Sequence, residues 1–198
     1  MADTGCSDRT DPRAGAAIRE ARVEDAPRIL DVINTTNKAF YEEIVPPDRY
    51  REPFLALEDV QAESRRMTFY VSVQNGRIVG VVGLGTAGGV GIVGRLYVLP
   101  GSQRKGIGAA LLAHAEDEAR RRGLREIVVW TDPKATWAVS FYRRRGYREI
   151  EPGIAFGDPH IDARARQHPD TLVVLRKSLS PPSGAARLRF YSSSRNGG

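Results

Sequence analysis

Across residues 91–108 the chain changes its hydrophobic period. An apolar run over 91–99 is cut by Pro100-Gly101, and beyond a glycine-rich stretch Ile107, Leu111 and Ala115 recur at helical spacing until Gly123, a left-handed stop. A strand that gives way through glycines to an amphipathic helix calls for a layered α/β architecture. It also leaves the first N–H groups of that helix without intrahelical acceptors, where anions are attracted. Gly106 and Gly108 let a bulky phosphate approach the backbone, and Arg104 and Lys105 add positive charge at the same end. A plain glycine-rich turn before a helix fits these residues equally well.

The segments on either side complete a mixed α/β order. Ile18-Arg19-Glu20-Ala21 alternates as a short strand, and Ile29, Leu30, Val32, Ile33 and Phe40 place a helix over about 24–39. Residues 57–66 begin Glu58-Asp59 and end Arg65-Arg66, as the helix dipole favours, and form a second helix. From Thr68 the period is two, and Asn75-Gly76 predicts a hairpin between 68–73 and 78–82. After the central helix, Ile127-Val128-Val129-Trp130 is a buried strand, and Asp132-Pro133 starts a helix that Gly146 stops. Apolar segments at 147–150 and 171–175 add the last strands. Glu116, Asp117 and Glu118 each have an Arg four residues on, the pattern of a solvated outer face.

Composition narrows the chemistry. The chain has 198 residues, enough for one well-filled core, and its single cysteine, Cys6, provides neither a disulfide framework nor a zinc site. No metal is expected. No stretch approaches the ~20 apolar residues of a bilayer span, so the expectation is a cytoplasmic protein without membrane partners. Residues 1–16 and the basic segment 180–198 read as disordered tails around one domain over 17–179. The net charge of +6 is modest for a nucleic-acid binder, and Arg120-Arg121-Arg122 and Arg143-Arg144-Arg145 end helices, where cations are favourable in any case. Nucleic acid is therefore not the expected partner, and a homodimer is left open.

Two glycine patterns need separating. Gly83-Leu84-Gly85-Thr86-Ala87-Gly88 fits a dinucleotide fingerprint, but a glycine-broken β-like run follows where a helix is required, so the segment reads as a flexible hairpin connection. The stretch 101–108 superficially offers a P-loop, yet Ile107-Gly108 stands where Lys and Ser or Thr are needed.

Leu96-Tyr97-Val98-x-Pro100-x-x-Gln103-x-x-Gly106-Ile107-Gly108, followed by Leu111-Leu112, resembles the acyl-CoA signature of the GNAT superfamily. Downstream, Ala138-x-x-Phe141-Tyr142-x-x-x-Gly146-Tyr147 resembles that family's second signature at the usual separation. The resemblance covers roughly residues 18–175. It implies a GNAT-like central sheet, mostly antiparallel and six- to seven-stranded, with a splayed parallel pair and about four flanking helices. It also implies an N-acetyltransferase that uses acetyl-CoA as co-substrate and a small-molecule or peptide amine as acceptor. By the same likeness, Arg104, Lys105, Gly106, Gly108 and Ala109 would hold the pyrophosphate, Tyr97 and Val98 would pair with the pantetheine arm, and Gln103 of the signature would belong to the same cofactor site. Tyr142 would protonate the departing thiolate. A strand bulge, made easy by Gly91 and Gly94, would aim an N–H at the thioester oxygen.

Two departures stand out. Many members carry a basic carboxylate on the strand before the turn, whereas Arg95 is the only charged residue over 90–99, so water, Glu42, Glu43 or Asp132 must take the amine proton. Ala135 replaces a frequent cofactor-contacting Asn, for which Thr136 or Trp137 would substitute. The acceptor is expected against residues 40–57 and 153–168, the latter with His160 and His168, which read more simply as surface histidines. A GNAT-fold protein that binds acyl-CoA without transferring it stays open.

Overall fold

The computed structural model describes residues 9–10, 17–48, 50–150 and 172–179. One sheet runs through all of them in the order β1-β2-β3-β4-β5-β6-β8-β7. Its strands are β1 (Arg9–Thr10), β2 (Ala17–Glu20), β3 (Met67–Gln74), β4 (Arg77–Ala87), β5 (Val90–Val98), β6 (Glu126–Thr131), β7 (Arg148–Ile150) and β8 (Val173–Ser178). Without the two-residue β1 the sheet has the expected seven strands. The helices are α1 (Ala26–Tyr41), α2 (Leu57–Ser64), α3 (Ile107–Arg121) and α4 (Thr136–Arg143). Every neighbouring pair is antiparallel except β5 and β6.

The sheet has helices on both faces. Alternation on β3 sends Phe69 and Val71 toward α1 and α2, with Ile29, Val32, Ile33 and Val60, while Tyr70 joins Ile107, Leu111, Leu112 and Ala115 of α3. The middle of β4 is buried on both sides, which explains its unbroken apolar composition.

Here the structure corrects one reading. Residues 83–87 are not a loose connection: β4 continues to Ala87 and the turn is only Gly88-Gly89. The glycines make room for a neighbour, since a Cβ at Gly83 would fall 2.4 Å from Met67 Sδ.

A second correction concerns α4, which starts at Thr136 rather than at Asp132. The Asp132 side chain accepts the Lys134 N–H at 2.8 Å and thus closes a turn ahead of the helix instead of capping it. A third concerns Glu116, which is only 6% exposed. Its carboxylate accepts from the Tyr147 hydroxyl at 3.1 Å and from Lys177 Nζ at 2.7 Å, tying α3 to β8 and to the end of α4. Residues 151–171 and 180–198, and most of 1–16, lie outside the described residues, as do His160 and His168.

Candidate functional site

β5 and β6 pair over only three residues, Gly91 with Ile127, Ile92 with Val128 and Val93 with Val129. Beyond Val93 the two strands part, although both continue. The expected splayed parallel pair is therefore present, and the cleft it opens is bounded by β5, β6, the turn before α3 and the start of α4.

The turn at its head is held from beneath. Val98 C=O accepts from Gln103 Nε2 at 2.9 Å and from Thr36 Oγ1 at 3.3 Å, and Ser102 N–H donates to Leu99 C=O at 2.8 Å. Gln103 thus shapes the turn. Arg104 and Gly106 have φ of 61° and 84°, and the first helical bond is Ala110 N–H to Gly106 C=O at 3.0 Å. Among the described residues, the N–H groups of Arg104, Lys105, Gly106, Ile107, Gly108 and Ala109 donate to no backbone carbonyl. Left-handed residues alternating with ordinary ones turn such groups toward a common centre, a nest for an anion at the positive end of a helix. A Cβ at Gly106 would meet nothing within 4 Å, so the space in front of the turn is open. These donors, with the exposed Arg104 and Lys105, fit the diphosphate of coenzyme A.

Tyr142 lies on the buried face of α4, its ring edge-on to Phe141 at 5.2 Å and near Tyr147 at 5.6 Å between centroids. Phe141 itself reaches the turn: a Cβ on Gly108 would stand 3.8 Å from its ring and 3.6 Å from Val98 Cγ2. Burial, and then the nearby Tyr41 and Tyr97, raise the Tyr142 pKa far above that of a free phenol, against a small opposing effect of Arg145. Its hydroxyl stays protonated and remains a hydrogen-bond donor over the whole physiological range.

Tyr41 and Tyr97 extend this group outward. Tyr41 meets Tyr97 edge-on at 6.4 Å and Trp137 at 5.9 Å, and Trp137, 44% exposed, also lies 6.2 Å from Phe40. Burial, with a further contribution from Tyr97, pushes the Tyr41 pKa up to about 12, although a hydrogen bond with Thr131 works the other way. Aromatic rings from α1, β5 and α4 therefore form one cluster, whose members Tyr41 and Tyr97 act on the electrostatics of Tyr142. Trp137 packs on the end of α1 and keeps part of its ring exposed, while Ala135 is fully buried.

The strand bulge is also present, but not at a glycine. Gly83 pairs with Gly94 and Val81 with Tyr97, so Arg95 and Leu96 together face Val82, and Arg95 carries a φ of 54°. Its guanidinium bonds both carboxylate oxygens of Glu63 from α2, one of them at 2.8 Å. It also lies 5.3 Å from the centre of the Phe54 ring. Burial disfavours this charge, but the bonds to Glu63 outweigh it and the Arg95 pKa is raised. A carboxylate thus does reach the strand before the turn, from another element and already engaged. Of the other candidate bases, Glu42 and Glu43 are exposed, whereas Asp132 is partly buried and acts on the electrostatics of Tyr41. Glu63 and Tyr41 went unnoticed in the sequence because nothing local distinguishes them from ordinary helix residues.

Among the described residues no helix is long and apolar enough to cross a membrane. No group of three or more His, Cys, Asp or Glu side chains among them could hold a metal ion.

The sequence profile of the acetyltransferase (GNAT) family matches residues 30–147. An IAA acetyltransferase from Azospirillum brasilense is 34% identical over 94 residues, 46% of this chain and 61% of that protein. An aminoalkylphosphonate N-acetyltransferase from Salmonella typhimurium is 34% identical over 87 residues, covering 41% of this chain and 56% of the other. The chain thus spans less than two thirds of the length of these curated relatives. Among solved structures, the PaiA N-acetyltransferase from Thermoplasma acidophilum in complex with coenzyme A superposes with a TM-score of 0.62 at 20% identity. That alignment covers 82% of this chain and 98% of the other, and it establishes a shared fold.

Proposed function

The chain belongs to the acetyltransferase (GNAT) family, and from that premise we propose that it transfers the acetyl group of acetyl-CoA to a primary amine by direct attack in a ternary complex. The observation that carries this reading is the parting of β5 and β6 beyond Val93, next to a turn whose six consecutive amides lack backbone acceptors among the described residues. In this proposal the amides from Arg104 to Ala109, with the charges of Arg104 and Lys105, hold the diphosphate. The edge of β5 around Tyr97 and Val98 lines the slot for the pantetheine arm. Acetyl-CoA supplies an activated acyl group with a thiol as leaving group. The chain's own residues orient the two reactants and keep a proton available at the Tyr142 hydroxyl for the departing sulfur; as the C–N bond forms and the C–S bond breaks, the proton lost by the amine restores the phenol, and amide and thiol leave.

The acceptor is assigned to the side lined by Phe40, Tyr41 and Trp137. The Arg runs support a small acceptor over a phosphate backbone, because Arg120, Arg121 and Arg122 pair with Glu116, Asp117 and Glu118, and Arg143 pairs with Glu149.

Isothermal titration with coenzyme A and acetyl-CoA, followed by thiol release from acetyl-CoA in the presence of a panel of amines, tests the proposal. The panel would span polyamines, amino acids, aminoalkylphosphonates, aromatic amines and peptide N-termini. Binding of both nucleotides and acceptor-dependent thiol release are expected. Absence of heat with either would sink the reading, and binding without transfer to any amine would leave a non-catalytic acyl-CoA binder.

A further inference from the structure

We propose that Arg95 and Glu63 form a positioning clamp for acetyl transfer, fixing the β5 bulge to α2. The inference rests on the acetyltransferase reading above and extends it to residues outside both sequence signatures.

Arg95 occupies a left-handed backbone conformation, φ 54°, that is unfavourable for a residue with a side chain. Such a conformation persists only where the surroundings over-determine it, and such positions gather at functional sites. Here the surroundings are specific. The guanidinium is engaged in a two-point interaction with Glu63 and lies over Phe54, and the two charged side chains are only 14% and 24% exposed. α2 and the segment leading into it are thus attached to the single point where β5 turns out of register with β4. That point lies two residues beyond Val93, the last residue of β5 paired with β6, and two residues further along is Tyr97, in ring contact with Tyr41. The backbone of β5 from Gly94 onward has no strand partner in β6, so its direction is set by its pairing with β4 on the other edge and by what holds the bulge in that pairing.

A carboxylate clasped at two points by a guanidinium has both oxygens engaged and is a good geometric tie. Lysine, a flexible point charge without the planar fork, reproduces that tie only in part. Glu63 and Arg95 therefore act through the backbone they fix rather than on the reacting atoms.

The experiment compares Arg95→Gly, Arg95→Lys, Glu63→Gln and the Arg95→Gly/Glu63→Gln double variant with the wild-type full chain. It measures kcat and KM with acetyl-CoA and the best amine of the panel, and the calorimetric Kd of coenzyme A. Glycine adopts the φ of residue 95 without strain, so Arg95→Gly keeps the bulge accessible while it removes the guanidinium with its contacts to Glu63, Phe54 and Tyr97, and Glu63→Gln isolates the clamp itself. The expected result is a fall in kcat of roughly 10- to 100-fold in Arg95→Gly and Glu63→Gln, the scale of a misaimed donor or reactant. Coenzyme A affinity is retained, kcat recovers partly in Arg95→Lys, and the double variant is no slower than the slower single one. An unchanged kcat in Arg95→Gly, or a parallel loss of coenzyme A affinity, would overturn the proposal. So would independent, multiplying effects of the two substitutions. Should Arg95→Gly fail to fold, Glu63→Gln carries the test alone, because it leaves the strained backbone untouched. A wild-type chain that binds no coenzyme A defeats the acetyltransferase reading instead.

Discussion

Tyr142 illustrates how one side chain is given its chemistry by its surroundings. A phenol in water titrates near 10, but burial against Phe141 and Tyr147 and the nearness of Tyr41 and Tyr97 keep this one neutral far above that value. It is suited to donate a hydrogen bond to sulfur and unsuited to act as a base. Tyr142→Phe is expected to lower kcat by about 10²–10⁴-fold, as for loss of a general acid, while the Kd for coenzyme A stays the same. A single-turnover assay beside calorimetry checks both halves. The tyrosine was legible from the sequence because it belongs to a spaced signature ending at Gly146-Tyr147. Glu63 was not, since its partner Arg95 lies 32 positions away and no local pattern encodes a contact at that distance.

At the level of single elements, the turn into α3 is where local sequence and local structure agree most closely. The change of period, the glycines and the helix start were all readable, since each is fixed by neighbours a few residues apart. What remained unreadable depends on contacts between strands and helices: Gly83 of β4 makes room for Met67 of β3, Gly80 for Leu111 of α3, and the bulge of β5 falls on an arginine held by α2. The start of α4 was misplaced for a related reason, because the Asp132 carboxylate closes a turn where a helix cap looked equally good. At Gly106 the demand is purely conformational, with φ of 84° and open space around a hypothetical Cβ. Gly106→Ala should therefore cost about 1–2 kcal/mol of local strain and turn the amides out of their common direction. The expected readout is a Kd for coenzyme A raised about tenfold. Gly101→Ala, whose Cβ would also meet nothing within 4 Å but whose φ is not positive, should bind as the wild type does.

For the molecule as a whole, buried phenols set an upper pH limit on stability. Tyr41, Tyr142 and Tyr147 all have raised pKa values, with burial the largest cause in each. For Tyr41 the folded chain holds the proton up to about pH 12, whereas the unfolded chain releases it near its ordinary value of 10. Between these limits the unfolded state binds fewer protons, so stability falls as pH rises. The Tyr41 contribution, on the order of 3 kcal/mol, is intact below pH 10 and lost progressively toward 12. Urea midpoints measured from pH 8 to 12 should show this decline, with a shallower slope in Tyr41→Phe.

The three-residue pairing of β5 with β6 has a mechanical counterpart. The leaf built from β6, β8 and β7 joins the larger leaf of β2 to β5 along a short seam at one end, with α3 spanning the two. Beyond that seam the edges of both leaves carry amide groups that a ligand with its own amides can bridge, as an added strand would. Occupancy of the gap would then knit the two leaves into a continuous sheet, and the same act that loads the substrate would stiffen the frame that aligns it.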